Sequence, residues 1–508
     1  MPARKHRNPK RRPLYDSALD TGYKNGWEHG RRDGACKAIL ESVVPPQLPH
    51  YNLRILYVPQ GFEAIDAGII GALKAMVKEL HIVGDLNQMY EMASSLRPDF
   101  VVVLNGLHIF PGDHLEQIDA IRALNIKTMI WFVDDPYSSE DSIKIAPHYD
   151  IVLTHELGAV DAYQQVSNGQ VHYIPLAVHT DWFKPTRIEN QYMSDVCFIG
   201  QGFWNRIELF DDLAPSLSSR RVIICGGLWD RLKNYELYGD AIRPGWMPVQ
   251  ETIRYYNSAK IVINLHRTTE AGSDNRNTLQ LSGRSINPRT YEISACATLQ
   301  MVDIREDLNQ YYKPGVEIET YASASELKDK IAYYLEHEDE RLMIALRGLK
   351  RTLQSHTFSL RVQELLNIIM KQEHAQWLGA QRKHLNESYE DSQESYLQEF
   401  CIRMSMEEGT VWLLAGIMDT GMANVRLLFK KTIRPAVKKD IHLMYVATGK
   451  GFPYSPIDEA IITTLSSVVS HITVTDALQD VSLIAKEKRP DLVLVLDGLQ
   501  LDLIHLRR

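Results

Sequence analysis

The stretch from residue 259 to residue 304 constrains the fold of this chain most. Two short apolar runs in it, Ile261–Leu265 and Leu299–Ile304, predict buried strands. Between them, Asn287-Pro288 predicts a capped helix start, and the helix should run to about Ala297. A strand, a loop, a helix and a second strand form one right-handed crossover of a parallel sheet. Ligands of such sheets bind beyond the carboxyl ends of the strands, so the polar loop is predicted to face a ligand.

The residues of this loop have the chemistry of an anion site. A helix N-terminus at Asn287 offers amide hydrogens and a partial positive charge, and guanidinium groups bind phosphate oxygens in a bidentate fork. The arginines of this region are Arg267, Arg276, Arg284 and Arg289. Glu292 follows Arg289 on the same helix face, where its carboxylate is predicted to accept hydrogen bonds from a ribose diol. An exposed Arg–Glu pair without a ligand is the alternative interpretation.

Several motifs resemble one protein family. NLH at 264–266, NPRTYE at 287–292 and SHTF at 355–358 are similar to the glycosyltransferases of the spore-maturation CgeB type. The resemblance extends from about Leu53 to Met370 and is densest in the second half of that range. The family belongs to the two-domain GT-B class, so the resemblance implies an α/β protein with two Rossmann-like parallel-sheet domains that face each other across a cleft. One departure is Ala297-Thr298, where we expect a glycine after the helix.

Composition restricts the class of protein. The 508 residues suffice for about three domains, and 44% hydrophobic with 24% charged residues is typical of a globular protein. A net charge of −8 argues against nucleic acid as the main partner. No apolar run approaches the roughly 18 residues of a membrane span. The five cysteines have no zinc-site spacing, which favours a reducing environment, so we expect a cytoplasmic protein.

The first domain is predicted from alternating apolar strands and helices. The predicted helices are Ala64–Leu80, Gln88–Leu96, Leu115–Leu124 and Leu157–Val166. WFVDDP places Asp134 and Asp135 at the carboxyl end of a strand, and His155 follows the next strand. Asp135 and His155 are the candidate general bases for an acceptor hydroxyl. The alternatives are that Asp before Pro is common in turns, and that a lone histidine is more often a packed or solvated residue.

The second domain begins with a strand followed by Gly200-Gln201-Gly202 and a helix that carries Arg206. This order predicts a phosphate-facing turn, although glycines mark any tight turn between a strand and a helix. At the end of the domain, the helix Leu360–Lys371 is predicted to cross back onto the first domain, as the resemblance implies.

The ends of the chain are predicted to form additional segments. The predicted division is a basic tail and glycine-ridged helical arm at 1–50, an acceptor domain at 51–188, a donor domain at 189–372, a helical linker at 373–438 and a partial repeat of the first domain at 439–508. The repeat is indicated by RPDLVLVLDGLQL at 489–501, which matches RPDFVVVLNGLHI at 97–109, and by DIHLMYV at 440–446, which matches NLRILYV at 52–58. An incomplete second copy should have unpaired sheet edges.

The arm carries Gly22, Gly26, Gly30 and Gly34, one glycine every fourth residue. On a helix this spacing makes a shallow ridge that another helix can approach closely. The arm and the partial repeat are therefore the predicted surfaces for self-association.

The resemblance implies a metal-independent glycosyltransferase that needs no resident cofactor. Its donor would be a nucleotide-diphosphate sugar, a UDP-sugar foremost, and its acceptor a glycan or glycoprotein of the spore or cell surface. Arg206, Arg289 and the helix start at Asn287 would stabilise the leaving diphosphate. Gly200, Gly202 and Thr290 complete the predicted donor site, with Glu292 at the ribose and Asn264 and His266 near the donor sugar. A non-catalytic scaffold that binds sugar nucleotides or glycans and a sugar-nucleotide epimerase remain the alternatives.

Overall fold

The computed structural model describes residues 11–272 and 274–370, together with five strands of the C-terminal segment. The chain divides into two compact units, residues 1–370 and 371–508. Residues 1–10 of the predicted basic tail lie outside the described residues. From Arg11 the predicted arm is helical, and α1 extends over Arg11–Ser42.

The first domain is a six-stranded parallel sheet in the order β2-β1-β3-β4-β5-β6. Its strands are β1 Tyr51–Val58, β2 Val77–Ile82, β3 Phe100–Leu104, β4 Lys127–Phe132, β5 Ile151–Thr154 and β6 Gln170–Tyr173. Its helices are α2 Glu63–Met76, α3 Met89–Leu96, α4 His114–Ala123, α5 Ser139–Ile145 and α6 Val160–Val166. Every residue of β3 is buried, as expected for a central strand covered on both faces.

The predicted helix Ala64–Leu80 is wrong at its C-terminal end. The helix α2 ends at Met76, and the chain continues directly into the edge strand β2. In β2 only Val77 is fully buried, because an edge strand has one side open. Its few apolar residues fit a helical pattern as well as a strand pattern, so periodicity alone did not separate the two.

The second domain is another six-stranded sheet, in the order β12-β11-β10-β7-β8-β9. Its strands are β7 Ser194–Ile199, β8 Val222–Cys225, β9 Ile242–Arg243, β10 Ala259–Asn264, β11 Leu299–Asp303 and β12 Glu319–Tyr321. Its helices are α7 Trp204–Leu217, α8 Tyr235–Tyr238, α9 Val249–Ser258, α10 Pro288–Ala295, α11 Leu308–Tyr311, α12 Ala324–Glu336 and α13 Glu338–Ser355. All its strand pairs are parallel.

The crossover predicted from residues 259–304 is confirmed, since β10 and β11 are parallel neighbours joined through α10. The helix ends at Ala295, and Ala297 has a φ of 53°, in the left-handed region that favours glycine. An alanine therefore occupies a left-handed position that favours glycine, and this is the position where the family resemblance leads us to expect one.

A last helix, α14 at residues 358–370, returns to the first domain. Its residues Phe358, Val362 and Leu365 are buried in the same hydrophobic cluster as Leu53 of β1. A Cβ at Gly68 of α2 would lie 2.1 Å from the Phe358 ring, so glycine lets the two helices approach closely. The predicted crossing helix is thus confirmed, and the two Rossmann-like domains form the expected GT-B architecture.

The helical arm packs on the second domain. Arg32 donates hydrogen bonds to the Cys296 carbonyl at 2.7 Å and to Asn257 Oδ1 at 3.2 Å. Cys36 is buried beside Ala297 and Leu349. Apart from the chain neighbours and the backbone of α1 itself, no atom of the described residues lies within 4 Å of a Cβ built at any of the four ridge glycines. Self-association through the ridge stays a prediction.

Within the described residues, no helix combines the length and the apolar character needed to cross a membrane. The four cysteines of this part, Cys36, Cys197, Cys225 and Cys296, are buried free thiols.

The C-terminal unit contains a five-stranded sheet in the order β15-β14-β13-β16-β17. Its strands are β13 Val411–Ala415, β14 Ile441–Val446, β15 His471–Thr475, β16 Leu492–Asp497 and β17 Gln500–Ile504. The repeated sequences form β14 and β16, but β13 pairs with both and separates them, whereas β1 and β3 are direct neighbours. The strand β13 lies in the range predicted as a helical linker, and the remainder of that linker lies outside the described residues.

Candidate functional site

A network of buried polar side chains fixes the start of α10. Asn287 caps the helix, because its Oδ1 accepts the Thr290 N–H at 3.1 Å. Its Nδ2 donates to Asn264 Oδ1 at 2.9 Å, and Asn264 Nδ2 donates back to Asn287 Oδ1 at 3.1 Å. Asn264 and Thr290 are fully buried, so these two predicted site residues position the helix start without reaching a ligand.

His266 belongs to the same network. Its Nε2 accepts the Asn287 N–H at 2.9 Å, so its Nδ1 carries the hydrogen and donates it to Asp303 at 2.6 Å. Burial lowers the pKa of His266 to about 4, and the ring is therefore neutral near pH 7. Burial acts to raise the pKa of Asp303, but His266 and Arg305 outweigh it and hold that pKa at about 2. The amides of Asn287 and Thr290 are bonded within the protein, and Pro288 has no N–H. Much of the helix N-terminus that was predicted to bind an anion is therefore already used.

Three arginines converge where β7 and β10 end, and we call Arg206, Arg267 and Arg289 the cation cluster. Arg206 donates to the Leu265 carbonyl at 3.0 Å and 3.2 Å, and Arg289 donates to the same oxygen at 3.4 Å. A Cβ at Gly200 would lie 3.0 Å from a terminal nitrogen of Arg206 and of Arg289. Burial, and next the charge of Arg289, lower the pKa of Arg206. Within the described residues none of the three arginines forms a salt bridge, although Asp134 and Asp274 act on Arg267 at longer range, and this favours an anionic ligand.

The predicted glycines make the turn beneath this cluster compact. A Cβ at Gly202 would lie 2.7 Å from the Leu228 carbonyl, and a Cβ at Gly226, after β8, would lie 2.1 Å from the Gly200 carbonyl. The chain segments that follow β7 and β8 can lie this close only because glycine has a hydrogen atom in place of a side chain.

Arg267 joins the two domains. Its guanidinium lies over the Tyr137 ring of the first domain at 4.9 Å and over the Phe203 ring of the second at 4.4 Å. Its Nε is buried with no hydrogen-bond partner among the described residues. The two aromatic partners were not identified from the sequence, since neither lies in a motif.

Glu292 lies one turn beyond Arg289 on α10 and is half-buried. Burial raises the pKa of its carboxyl to about 7, and the charge of Arg289 opposes that shift. Within the described residues its carboxylate has no hydrogen-bond donor. Arg289 and Glu292 therefore lie on one helix with unused hydrogen-bonding capacity, and their role at a ribose diphosphate stays a prediction.

Two of the predicted arginines already have carboxylate partners. Arg276 pairs with Glu140 at 3.1 Å and with Asp141 at 3.2 Å, and Arg284 pairs with Glu306 at 2.6 Å. Both arginines are exposed, and their charges are compensated within the protein.

Of the two predicted bases, Asp135 is sealed inside the first domain. Its carboxylate accepts hydrogen bonds from Thr154 at 2.7 Å, from Tyr163 at 2.8 Å and from Ser142 at 3.3 Å. Burial raises its pKa to about 6, and its exposed fraction is 2%. A base must reach the hydroxyl it deprotonates, so this geometry removes Asp135 from the candidates.

His155 is also buried, but one of its ring nitrogens is unused. Its Nε2 donates to the Asp135 carbonyl at 3.1 Å, and its Nδ1 has no partner among the described residues. Burial lowers its pKa to about 4. The neutral ring is suited to accept a hydroxyl hydrogen, but it is a weak base.

The loop between β10 and α10 ties the domains together. The Arg276 N–H donates to the Tyr137 carbonyl at 2.8 Å, and the Glu140 N–H donates to the Arg276 carbonyl at 3.1 Å. Glu156 of the first domain accepts the Arg284 N–H at 2.8 Å, and burial raises the pKa of Glu156 to about 7. Across the described residues, no group of three or more His, Cys, Asp or Glu side chains is arranged to hold a metal ion.

Solved structures of similar shape share little sequence with this chain. Sucrose-phosphate synthase from Thermosynechococcus elongatus is 12% identical and matches 64% of this chain and 100% of its own, with a TM-score of 0.43. The Anabaena protein HepE, in complex with UDP and glucose, is 13% identical and matches 63% of this chain and 100% of its own, with a TM-score of 0.43. These scores are low, and the fold assignment depends on the two sheets themselves.

Sequence comparison is more specific. Residues 206–367 match the family model described as "Glycosyl transferase-like". The spore protein CgeB of Bacillus subtilis (strain 168) is 26% identical over 314 residues, which cover 60% of this chain and 95% of that protein. The similarity to CgeB-type glycosyltransferases that the motifs indicated is thus confirmed, and the chain carries a glycosyl transferase-like domain.

Proposed function

We propose that the protein transfers a sugar from a nucleotide-diphosphate sugar, a UDP-sugar foremost, to a hydroxyl of a glycan or glycoprotein, without a metal ion. The observation that carries this proposal is the cation cluster without carboxylate partners in the described part, beside the free carboxylate of Glu292. The proposed compartment is the cytoplasm, in keeping with the buried free thiols.

The transfer breaks the bond between the sugar and the diphosphate, and negative charge develops on the leaving oxygen. Fixed cations aimed at that charge stabilise the transition state without reorganising. Arg289 and Arg206 are held by the Leu265 carbonyl, and Gly200 leaves the space beside them open. We assign the diphosphate to these groups and the ribose diol to Glu292.

Four of the remaining predicted site residues act through the helix that carries Arg289. Asn264, His266, Asn287 and Thr290 bond to one another and fix the start of α10. Gly202 keeps the turn before Arg206 compact. His155, with its free Nδ1, is assigned to a hydroxyl of the donor sugar.

The test measures release of the nucleotide diphosphate from a panel of uridine, guanosine and thymidine sugars. Arg289→Ala is expected to lower kcat/KM by about 10²–10³-fold, the usual loss when one preorganised donor is removed. Arg284→Ala is the matched control, because this arginine lies in the loop just before α10 but is exposed and paired with Glu306. It should leave turnover unchanged.

Two results would contradict the proposal. Stabilisation by a nucleotide diphosphate without turnover of any donor would favour the scaffold. Conversion of one nucleotide sugar into its epimer would favour the epimerase.

A further inference from the structure

The loop after β3 holds His108 in an unusual backbone conformation. Asn105, Gly106 and His108 have φ values of 61°, 67° and 60°, in the left-handed region. Gln60 fixes the loop, because its Nε2 donates to the Leu107 carbonyl at 2.8 Å and its Oε1 accepts the Leu107 N–H at 3.3 Å. Non-glycine residues in this region cost about 1 kcal/mol or more and are frequent at functional sites.

This conformation directs His108 to Asp134. The imidazole Nε2 lies 2.9 Å from Asp134 Oδ2, and Ser138 Oγ donates to the same oxygen at 3.4 Å. The side chain of His108 is 50% exposed and that of Asp134 is 28% exposed. Because a carboxylate only accepts hydrogen bonds, Nε2 carries the hydrogen and the lone pair is on Nδ1. The half-exposed ring of His108 therefore has a basic nitrogen, Nδ1, while Asp134 fixes the other ring nitrogen, Nε2.

The pair lies on the side of the first domain that faces the cation cluster. The strands β3 and β4 are neighbours in the sheet, and His108 and Asp134 both follow their carboxyl ends. Asp134 raises the pKa of Arg267, against the larger effect of burial, and Arg267 acts in turn on His108. Arg267 also stacks on Tyr137, three residues after Asp134. The pair and the cluster thus belong to one site, from opposite domains.

The charged groups around His108 suit it to take a proton near neutral pH. The hydrogen bond to Asp134 raises its pKa most, Asp141 adds to that effect, and burial and Arg267 oppose it. Asp135 and His155 are buried, and the pKa of His155 is lowered. Among these groups, only His108 combines access to solvent with sufficient basicity.

We propose that His108 is the general base that activates the acceptor hydroxyl and that Asp134 positions it. The inference depends on the proposed transfer. In the step, His108 Nδ1 takes the hydroxyl proton while the hydroxyl oxygen forms a bond to the anomeric carbon. The bond from that carbon to the diphosphate breaks, and its electron pair leaves with the diphosphate toward the cation cluster. The imidazolium pairs with Asp134 and then loses its proton to solvent. Attack opposite the leaving group inverts the anomeric configuration.

The test uses hydrolysis of the nucleotide sugar that the wild type turns over fastest, with water in place of the acceptor. His108→Asn is the chosen variant, because asparagine tolerates the left-handed conformation. General-base catalysis contributes about 10²–10⁴-fold, so kcat should fall by about that factor, with the Kd for UDP and the melting temperature unchanged. His148→Asn is the matched control, since His148 forms a similar pair with Asp119 at 2.9 Å, before β5. It should hydrolyse at the wild-type rate.

Asp134 is tested through the pH profile. The rate rises with pH as His108 loses its proton, and removal of the Asp134 charge lowers the pKa of His108. Asp134→Asn should therefore shift the rising limb of the profile to lower pH as well as reduce kcat. A residue that only supports the fold would reduce the rate without moving the limb.

Two results would overturn the inference while the proposed function stands. One is a His108→Asn rate within about threefold of the wild type, far less than general-base catalysis supplies. The other is a released sugar that retains its anomeric configuration, measured by proton NMR before mutarotation. A wild type that binds UDP but hydrolyses no donor would remove the proposed function, and this inference with it.

Discussion

The polar side chains at the end of the second sheet differ in how much of their hydrogen-bonding capacity is used within the protein. His266 uses both ring nitrogens and Arg284 has a carboxylate partner, so neither can gain much from a ligand. Arg289 bonds only to backbone carbonyls, and Glu292 has no donor in the described part. A buried charge without a partner is costly, and a ligand of opposite character can supply that partner.

Glu292 should make donor binding depend on pH. Its pKa of about 7 means that the carboxylate becomes ionised as pH rises through neutrality, and only the ionised form offers both oxygens as acceptors to a diol. The diphosphate of UDP-glucose does not titrate near neutral pH. The Kd for UDP-glucose, measured by calorimetry, should fall by up to about tenfold from about pH 6 to about pH 8.

Glu292→Gln should bind UDP-glucose more weakly and with no such slope. Glu306→Gln is the control, because Glu306 is exposed and paired with Arg284. An unchanged slope in Glu292→Gln would show that another group titrates.

Residue types and their place at strand ends predicted the region of the site, but not which side chain of a pair faces the cleft. The adjacent Asp134 and Asp135 both follow β4, and Asp135 is the one predicted as the base. The structure turns Asp135 toward Tyr163 inside the domain and Asp134 toward His108. His108 also follows a strand end, but its direction depends on left-handed residues that only the folded backbone reveals.

At the scale of single elements, α10 links the network of polar side chains to the site. Its start is fixed by hydrogen bonds from Asn264 of β10 and Gln300 of β11, and the same turn carries Arg289. The sequence predicted this element well, because Asn-Pro is a strong start signal and the flanking strands are uniformly apolar. It predicted α2 less well, since the end of α2 is set by the pairing of β2 with β1.

The cap of α10 should contribute more to stability than an ordinary cap. Asn287→Ala removes the bond to Thr290 and leaves the buried Oδ1 of Asn264 without its hydrogen-bond donor, while Asn264 Nδ2 keeps Thr290 and Gln300 as acceptors. The expected loss is about 2–3 kcal/mol of the free energy of unfolding, measured in urea. Ser323→Ala removes an exposed cap with one bond to Glu326, and about 1 kcal/mol is expected. Equal losses in the two variants would contradict a network role for Asn287.

At the scale of the whole molecule, buried titratable groups couple stability to pH. Burial raises the pKa of Glu156 and Glu292 to about 7 and that of Asp135 and Asp307 to about 6. These groups bind protons in the native state that they release on unfolding, so their contribution is complete at low pH and is lost as pH rises to about 7. The buried histidines have lowered pKa values and act in the opposite direction, an effect that is largest below about pH 6.5 and fades by about pH 7.5.

The two effects offset each other in part, so the melting temperature should fall by only about a degree between about pH 6.5 and about pH 8. Glu156→Gln removes one of the two carboxyls that titrate in this range, so it should flatten the fall, whatever its effect on the absolute value. Differential scanning fluorimetry across the range measures the slope. A melting temperature that rises with pH in the wild type would contradict the prediction.

The return of α14 to the first domain has a consequence for how such genes recombine. The interior of the first domain is completed by Phe358, Val362 and Leu365, which are encoded after the whole second domain. An ancestor could not exchange its first domain for another by a single crossover, because the incoming domain would pack against a helix whose side chains fit the original one. Exchange of the first domain would require two matched recombination events, one on each side of the second domain. The two domains should therefore share one evolutionary history.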